Sequence, residues 1–489
     1  MTANAPSQHA LVIGSGVGGL SVAILLVRLG YRVTVIEKNV LPGGLMRSYA
    51  RKGIQCPVGV HYLGALGRGQ VLRSLFDLLG VSHRIPVEPM GTEGVIDRYL
   101  FDDFTFDLPP GIEAYEENLR NTFPDEQEQV RTYTRMLLNA SRQLETLEFL
   151  FSGLGPFRIL DQMRPLGEIL TELRCSPRLR SVLSVPSAWV GVPLDRAPAV
   201  YHNMSLASYL ASSWRLSCSG AEMADAFAAS LTQGGGEIIT GDKAERILVE
   251  AGSVQGLGLS SGRVLHAPLV VAAIHPKVAL RFLPEGAVRP VYKNRLRKLT
   301  DTPSILSVHV AVDASVHREI PYNIFRIETD RNGNVEDACF LQIRKSQQTG
   351  KNLLSIITSA NTDRWRPWES TWTGRRGEDY RKEKEKEAWR LLRAAEPVFG
   401  KLRDPELLDV ATPLTLRDWV DSPGGSAYGV LRSTDQMQAL ALLNRCLVPG
   451  FHLAGQSVLA PGILGTILGS LNTVKSIAGP ERFRESIRL

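Results

Sequence analysis

Residues 11–37 read LVIGSGVGGLSVAILLVRLGYRVTVIE, and this stretch decides the fold. Its first apolar residues, 11–13, predict a short buried strand, and residues 32–36 predict a second strand. Between them a glycine-rich turn leads into an apolar helix of about 18–29 that stops at Gly30. The second strand ends at an acid, Glu37. A strand, turn, helix, strand and acid in this order predict a dinucleotide-binding βαβ unit.

The glycines of the turn, Gly14, Gly16 and Gly19, have the spacing G-x-G-x-x-G. The first permits the tight turn, the second lets the backbone approach a pyrophosphate, and the third lets the helix pack on the strand. The helix N-terminus offers free N–H groups and a partial positive charge to phosphates. The carboxylate of Glu37 is placed to accept hydrogen bonds from ribose hydroxyls. The alternative is a buried glycine-rich hairpin without a ligand.

The residues after Glu37 favour FAD over a nicotinamide cofactor. A second glycine pair, Gly43-Gly44, is followed by Arg47, by a hairpin predicted through residues 51–53 and by the segment GVHYLG (59–64). A nicotinamide dehydrogenase needs no second phosphate and ribityl loop here, whereas the longer FAD, extended across a domain, does.

The C-terminal segment FHLAGQSVLAPGILGTILG (451–469) agrees with this choice. It predicts another strand, loop and helix, with the helix starting near Gly465. Such a helix N-terminus suits the ribityl chain and the pyrimidine edge of a flavin.

Both ends of the chain resemble the FAD-dependent amine oxidase and phytoene desaturase superfamily, and its carotenoid isomerase and retinol saturase branch is the nearer match. The resemblance covers nearly the whole chain. Its motifs are GxGxxG with Glu37, PGGLMR (42–47), GVHYLG (59–64), GGGEIITGDKAERIL (234–248), VVAAIHP (270–276), ATPLT (411–415), SPGGSAYG (422–429) and LAGQSVLAPGILG (453–465). The resemblance implies an α/β fold, with a Rossmann-like FAD-binding domain of the GR2 type and an inserted α+β substrate domain.

The resemblance also implies which residues contact FAD. They are Gly14, Gly16, Gly18, Gly19, Glu37, Lys38, Gly43, Gly44, Leu45, Arg47, Gly59, Val60, His61, Ala244, Ala273, Gly455, Gln456, Gly465 and Thr466. Three positions depart from the saturase-like pattern: Pro57 replaces an acid, the segment 217–220 after Trp214 reads SCSG, and Gln456 follows the C-terminal glycine. These departures affect the expected substrate more than the expected cofactor.

Two domains are expected from the 489-residue length. The FAD-binding domain is predicted to be discontinuous, with pieces at 8–75, 205–285 and 405–480. The substrate domain is predicted at 76–204 and 286–404. The charge run RKEKEKE (381–387) falls on a helix predicted over about 378–395, where i,i+4 pairs on a solvated face explain it.

Composition indicates an ordinary globular enzyme: 44% of residues are hydrophobic and 22% are charged. The net charge of +6 is mild for this length, and no nucleic-acid-binding motif accompanies it. The five scattered cysteines contain no CxxC pair and no metal-ligand spacing, which favours a reducing compartment and no bound metal. No signal-peptide pattern is present, so a cytoplasmic protein, soluble or peripherally attached to a membrane, is expected.

The branch resemblance implies a long, apolar, unsaturated substrate, such as a carotenoid, a retinoid or another polyene lipid. The flavin would carry the redox step, and His61, Tyr62 and Tyr428 are the candidate catalytic residues. His61 would donate a proton or shape the pocket, with a structural histidine as the alternative. Tyr428 would face the pocket or pack in a turn. His202 is interpreted as structural.

Two further apolar features have competing interpretations. The tryptophans of WRPWESTW (365–372) would line an apolar tunnel or fix a surface loop. Residues 137–173 contain many large apolar side chains interrupted by Gly-Pro. Core packing explains this stretch, and the alternative is a lid or a helix pair that touches the membrane.

Desaturation, saturation and flavin-dependent isomerisation share one cofactor site, and the residue patterns favour the last two only weakly. One rival is a flavin amine oxidase, which acts on C–N bonds. The other is a non-catalytic lipid-binding escort protein, which the intact dinucleotide loops disfavour. The sequence leaves the oligomeric state open.

Overall fold

The computed structural model describes residues 8–147, 150, 163–444 and 448–487. Its strands, in chain order, are β1 His9–Ile13, β2 Arg32–Glu37, β3 Ser48–Arg51, β4 Ile54–Pro57, β5 Leu63–Gly64, β6 Val87–Pro89, β7 Asp97–Leu100, β8 Thr105–Leu108, β9 Ser213–Leu216, β10 Glu237–Thr240, β11 Ala244–Glu250, β12 Ser253–Leu259, β13 Val264–His266, β14 Leu269–Ala272, β15 Ile305–Asp313, β16 Asn323–Thr329, β17 Val335–Lys345, β18 Lys351–Ser359, β19 Glu406–Ala411 and β20 Phe451–Leu453.

The helices, also in chain order, are α1 Val17–Arg28, α2 Val71–Leu78, α3 Ile112–Thr122, α4 Gln127–Thr146, α5 Leu166–Glu172, α6 Pro177–Ala188, α7 Ala199–Ala211, α8 Gly220–Gln233, α9 Pro276–Ala279, α10 Pro290–Arg297, α11 Thr362–Trp365, α12 Gly377–Phe399, α13 Pro413–Val420, α14 Met437–Leu440, α15 Gly462–Ala478 and α16 Pro480–Ser486.

A five-stranded parallel sheet, in the order β10-β2-β1-β14-β20, forms the first layer. Its central strand β1 sets Val12 opposite Val35 of β2 and Val271 of β14. Because both faces of a parallel sheet are covered, such strands are apolar throughout, as the burial of all four residues of β14 illustrates. The predicted Rossmann-like α/β fold is therefore confirmed.

Helix α1 joins β1 to β2 as the crossover of the βαβ unit. The apolar helix is buried on the sheet, where its Leu20 and Leu25 are inaccessible. It packs in one apolar cluster with α8 and α15, through residues such as Phe227 and Leu471. On the opposite face of the sheet, the antiparallel strands β11, β12 and β13 close a second cluster.

A mostly antiparallel sheet of seven strands, in the order β19-β15-β18-β17-β16-β7-β8, forms the second layer. Helices α3, α4, α6 and α7 pack on one part of it through Tyr99, Phe325 and Phe340. The long helix α12 packs on another part. The site described below lies between this sheet and the loops of the parallel sheet.

The segments of the predicted domains can be located in these sheets. Strands of the parallel sheet come from all three segments predicted for the FAD-binding domain. Strand β19, at the start of the third segment, instead pairs with β15 of the seven-stranded sheet. The first residues of that segment thus lie with the other layer, and the domain boundaries stay a prediction.

Two helix predictions need correction. Helix α15 starts at Gly462, before the predicted Gly465, because Pro461 serves as its N-cap rather than as part of a longer loop. Helix α12 contains the predicted i,i+4 pair Lys382–Glu378 at 3.3 Å. The run is not wholly solvated, however, because Glu387 is 5% exposed and pairs with arginines.

Among the residues that the structure describes, no helix is both long enough and apolar enough to cross a bilayer. Of the apolar stretch 137–173 considered for a lid or membrane contact, residues 148–149 and 151–162 lie outside the described residues. Of its described members, Leu144, Leu147 and Leu150 are buried, as core packing predicts.

Candidate functional site

The first glycine turn has the geometry that a phosphate site needs. Gly14 has a φ of +93° and donates its N–H to the carbonyl of Ile36 at 2.8 Å. A side chain on Gly19 would overlap the Gly14 carbonyl, so this glycine allows helix α1 to approach the strand. These two glycines are required by the packing of the protein itself.

Gly16 differs from them because nothing in the protein requires it. Its φ is −65°, which any residue adopts, and a Cβ built on it would meet no atom within 4 Å. Among the described glycines with such open space, all the others have a positive φ. Gly16 is the N-cap of α1, with no side-chain cap and no acid in the first turn. The open space lies where a diphosphate would meet the free N–H groups.

Glu37 is 5% exposed and already bound by protein donors. Its Oε2 accepts from the N–H and hydroxyl of Ser15 at 3.0 and 2.6 Å. Its Oε1 accepts from the N–H and side-chain amide of Asn39, both at 2.8 Å. A ribose hydroxyl would have to replace one of these side-chain donors, so the predicted ribose contact stays a prediction.

The second glycine pair lies against the first turn. A Cβ on Gly44 would come within 3.0 Å of the Gly16 Cα, and Gly43 donates its N–H to the Ser15 carbonyl at 3.0 Å. Arg47 turns back onto this loop and donates to the Gly44 carbonyl at 3.1 Å. Burial lowers the pKa of its guanidinium. The loop thus faces the open space beside Gly16.

Of three further residues predicted to contact FAD, one lies beside this loop. Gly59 lies beside Leu45, whose carbonyl would be 3.1 Å from a Cβ on that glycine. Lys38 points elsewhere, to the carboxylate of Asp421 at 3.0 Å. Ala244 is buried with Ile36 under the parallel sheet.

The C-terminal loop completes the cluster of close approaches. A Cβ on Gly18 would lie 2.6 Å from the Gly455 Cα and 3.1 Å from the Thr466 Cγ2. A Cβ on Gly14 would lie 3.1 Å from the Ala273 carbonyl. Segments far apart in sequence therefore meet around one opening, as the resemblance implies.

Two further residues of the C-terminal loop, Gly465 and Gln456, also contact neighbouring segments. Gly465 lies against Ala460, because a Cβ on it would be 2.7 Å from the Ala460 Cβ. The carbonyl of Gln456 lies 3.5 Å from Arg432 Nη2. Which of these residues contact the cofactor stays a prediction.

Two cavities adjoin this cluster. The loop-side cavity, of about 330 Å³, lies between the segments 59–64 and 458–465 and helix α7. The sheet-side cavity, of about 250 Å³, lies between helix α6 and the seven-stranded sheet. His61, Tyr62, Trp189 and Tyr428 line both cavities, and we call these four side chains the aromatic wall.

Three members of the aromatic wall, His61, Tyr62 and Trp189, pack in one cluster with Tyr209 and Phe340. The Tyr62 ring centroid lies 4.9 Å from that of Tyr209 and 6.3 Å from that of Trp189. The His61 ring lies 5.3 Å from Phe340. The three predicted catalytic residues are thus brought together at the cavities, and their roles in catalysis stay a prediction.

Burial keeps the wall uncharged. It lowers the pKa of His61 to about 3, with smaller contributions from His309 and Arg344. His61 Nδ1 is buried without a hydrogen-bond partner among the described residues. Burial also raises the pKa of Tyr62 well above its usual value and raises that of Tyr428. At neutral pH the wall therefore offers a neutral imidazole and two protonated phenols.

His202, another residue singled out in the sequence, lies away from this chemistry. Both ring nitrogens of His202 have partners, Tyr133 at 3.0 Å and Ser187 at 2.9 Å, which agrees with a structural histidine.

The tunnel interpretation of the three tryptophans stays a prediction, because Trp365 lines a third cavity, of about 580 Å³, whose lining includes several charged residues. Trp365 is 2% exposed and packs on Tyr380, and Trp372 is 61% exposed beside Arg417. Neither these two nor Trp368 lines the loop-side or the sheet-side cavity in the described part of the chain.

Asp97 is a buried acid that the sequence reasoning missed. Its Oδ1 accepts from Tyr209 Oη at 2.7 Å and from Asn323 Nδ2 at 2.8 Å, and its Oδ2 has no partner among the described residues. Burial raises the pKa of Asp97 to about 7. Tyr209 also lines the loop-side cavity. A carboxyl that titrates near neutrality thus lies one hydrogen bond from the cavity.

Arg432 is the second residue that was missed. It is 4% exposed, lines the loop-side cavity and follows the SPGGSAYG motif in sequence. The only signal for either residue is a charge within an apolar run, GVIDRYL for Asp97 and AYGVLR for Arg432. That signal does not tell a buried charge from an exposed one.

Comparison with known proteins places the chain among flavoproteins. The family model described as flavin-containing amine oxidoreductase matches residues 17–472. An all-trans-retinol 13,14-reductase of Danio rerio is 24% identical over 94% of this chain and 84% of its own length. A prolycopene isomerase of an Oncidium hybrid cultivar is 25% identical over 93% of this chain and 80% of its own length.

A solved putrescine oxidase shares the fold, with a TM-score of 0.68, 14% identity and coverage of 96% of this chain and 99% of the other. The predicted family and its FAD cofactor are therefore confirmed.

Replacing Gly16 by leucine should abolish FAD retention while the protein still folds, because the side chain enters open space that the backbone conformation tolerates. Gly16→Ala should retain part of the flavin. The ratio of flavin to protein absorbance after gel filtration measures retention, and circular dichroism of the apoproteins controls for folding. A fully yellow Gly16→Leu variant would show that the diphosphate lies elsewhere.

The raised pKa of Asp97 predicts a pH-dependent stability. The carboxyl has a pKa of 3.8 when unfolded and about 7 when folded, so the folded protein holds the proton more tightly. This contribution is fully present below about pH 4 and is lost as the pH rises through about 7. Asp97→Asn should therefore gain stability relative to the wild type across this window, by at most about 4 kcal/mol.

Urea unfolding of the two holoproteins at pH 4.5, 6 and 7.5, with excess FAD, measures the difference. The exposed Asp102→Asn variant is the control. A stability difference between Asp97→Asn and wild type that does not change with pH would contradict the raised pKa.

Proposed function

Because this chain belongs to the flavin-containing amine oxidoreductase family and is an FAD-dependent oxidoreductase, we propose that it acts on carbon–carbon bonds of a long, apolar, unsaturated molecule. The substrate would be a carotenoid, a retinoid or another polyene lipid. The names of the two relatives, a retinol reductase and a prolycopene isomerase, support this class.

The lining of the loop-side cavity is the observation that carries the proposal. Leucine, valine and methionine side chains dominate it, and none of its described lining residues is acidic. An apolar cavity of this kind binds an apolar chain by removing both surfaces from water. It lies between the loops proposed to hold FAD and the helices of the second layer.

The proposed FAD site lies where the glycine loops meet around Gly16. The diphosphate would lie at the N-terminus of α1 beside Gly16, with the segments 43–47 and 455–466 around the ribityl chain. The open space at Gly16 supports this fit, since a Cβ there would occupy it. Bound FAD supplies hydride transfer, and the protein supplies orientation and protons.

The aromatic wall would orient the unsaturated segment against the cofactor. His61 is neutral at physiological pH, so it acts as a hydrogen-bond donor or acceptor rather than as an imidazolium acid. Of the predicted roles of His61, a lowered pKa favours shaping the pocket over donating a proton. The hydrogen-bonded pair Tyr209–Asp97 is better suited to hold a proton, because the pKa of Asp97 is near neutrality.

An amine oxidase activity is less supported. Amines are protonated at neutral pH, and a cationic substrate would enter a cavity whose one charged described lining residue is the cation Arg432. Like charges in a desolvated cavity repel strongly. The apolar substrate class also fits peripheral contact with a membrane, which remains part of the proposal.

The proposal predicts which compounds react with the reduced holoenzyme. After anaerobic reduction, polyenes and unsaturated lipids should reoxidise the flavin, or should isomerise while the flavin stays reduced, whereas amines should not reduce the oxidised enzyme. Flavin absorbance and chromatographic analysis of the lipid separate the two outcomes. Rapid reduction of the oxidised enzyme by an amine, with formation of hydrogen peroxide, would overturn the proposal in favour of an amine oxidase.

His61 variants test its role as a neutral group. His61→Leu should lower turnover roughly 100-fold, because the hydrogen bond proposed between the imidazole and the bound substrate or cofactor would be lost. His61→Gln should recover most of the turnover. The wild-type rate should show no step from His61 between pH 5 and 8, since the pKa of about 3 lies below that range. The exposed His83→Leu variant is the control. Full turnover in His61→Leu would remove His61 from the chemistry.

A further inference from the structure

Arg432 is a buried cation without a counter-charge. Its side chain is 4% exposed, and its Nε is buried without a hydrogen-bond partner among the described residues. One contact to the protein is long, from Nη2 to the Gln456 carbonyl at 3.5 Å. No carboxylate in the described part of the chain forms an ion pair with it. A guanidinium keeps its charge in proteins, although burial lowers the pKa of Arg432.

A buried charge of this kind destabilises the fold unless a bound anion neutralises it. Arg376, for comparison, pairs with Asp418, and Arg215, which is buried without a carboxylate, donates to the Ile320 carbonyl at 2.7 Å and to Asn323 Oδ1 at 3.2 Å. Leaving a buried charge unpaired destabilises a fold by several kcal/mol. Arg432 lines the loop-side cavity, so the accessible part of its side chain faces a molecule bound there.

A second feature makes the same cavity electropositive. The 17-residue helix α15 begins at Gly462 in the cavity wall, with no side-chain cap and no acid in its first turn. Its free N–H groups carry a partial positive charge. None of the described lining residues is an acid that would offset these two charges.

The rest of the cavity fits a chain rather than a small ion. Its wall is built from apolar residues such as Leu459, Ile463 and Leu468. Tyr201 lies beside Arg432, and Tyr428 of the aromatic wall is on the same short segment of chain. A molecule with one anionic end and a long apolar body matches both parts.

We propose that Arg432 binds the carboxylate of the substrate, and that the substrate class is therefore a long unsaturated carboxylic acid rather than a neutral hydrocarbon, an alcohol or an amine. This inference rests on the proposed function. A guanidinium presents paired N–H donors that match the two oxygens of a carboxylate. Binding an anion would neutralise the buried charge, while burial of the apolar chain supplies the remaining affinity.

The test compares an acid with its own ester. Oxidised holoenzyme is titrated with linoleic acid and with all-trans-retinoic acid, each against its methyl ester, and perturbation of the flavin absorbance reports binding. The wild type should bind at least one acid roughly tenfold or more tightly than its ester. Arg432→Met should weaken that acid roughly 10- to 100-fold and leave the ester unchanged. Arg432→Lys should restore part of the preference.

Several results would overturn the inference. One is equal affinity of the wild type for acid and ester. Another is an Arg432→Met variant that weakens both ligands alike, or that shifts the flavin reduction potential and leaves the ratio of acid to ester affinity intact, since Arg432 would then serve the cofactor. The exposed Arg331→Met variant is the control.

The proposed function fails separately from this inference. If the wild type prefers the acids but no lipid reacts with the reduced holoenzyme, the binding role of Arg432 stands and the carbon–carbon chemistry does not. If neutral polyenes react and acids show no preference, the chemistry stands and the role of Arg432 does not.

Discussion

The close approach of backbone segments around Gly16 is the constraint on which the rest of the structure depends. Gly18 of α1 lies against Gly455, and Gly44 lies against Gly16, at distances that a Cβ atom would not allow. Segments near both ends of the chain therefore meet without side chains between them. The space left at the centre sits at a helix N-terminus and suits a diphosphate. Once these loops are fixed, the segments 59–64 and 458–465 that follow them are positioned at the cavity.

Burial determines the chemistry of the aromatic wall. His61, Tyr62 and Tyr428 are half-buried, and burial favours the uncharged form of each. Neutral aromatic groups suit contact with a polyene, because they offer polarisable surface without the desolvation that a charge would demand. The buried carboxyl of Asp97 is held behind Tyr209 and lines neither cavity, whereas Glu336 and Asp337 line the sheet-side cavity. Apolar and aromatic side chains thus line the loop-side cavity, and the titrating carboxyl of Asp97 lies one residue behind them.

The dinucleotide unit could be predicted from sequence because it is local. The spacing of Gly14, Gly16 and Gly19 and the alternation of strand and helix within one short stretch report backbone geometry directly. The partners of Asp97 and Arg432 could not be predicted, because they come from distant parts of the chain. Asp97 meets Asn323 across two strands of the second sheet, and Arg432 approaches Gln456. The tryptophans at 365–372 illustrate the same limit, since the sequence does not show that Trp365 lines a cavity other than the loop-side and sheet-side ones.

The proposed role of Arg432 offers one way in which the same fold can serve different bonds. The solved putrescine oxidase and this chain share their architecture, so the fold alone does not select between amine and polyene. Selection requires a local difference in the cavity, and the sign of its charge is such a difference. A buried guanidinium disfavours an ammonium group and favours a carboxylate through the same Coulomb term. Because a buried charge without a counter-charge lowers stability, the position of Arg432 in this apolar wall is the observation that supports the proposed recognition of an anion.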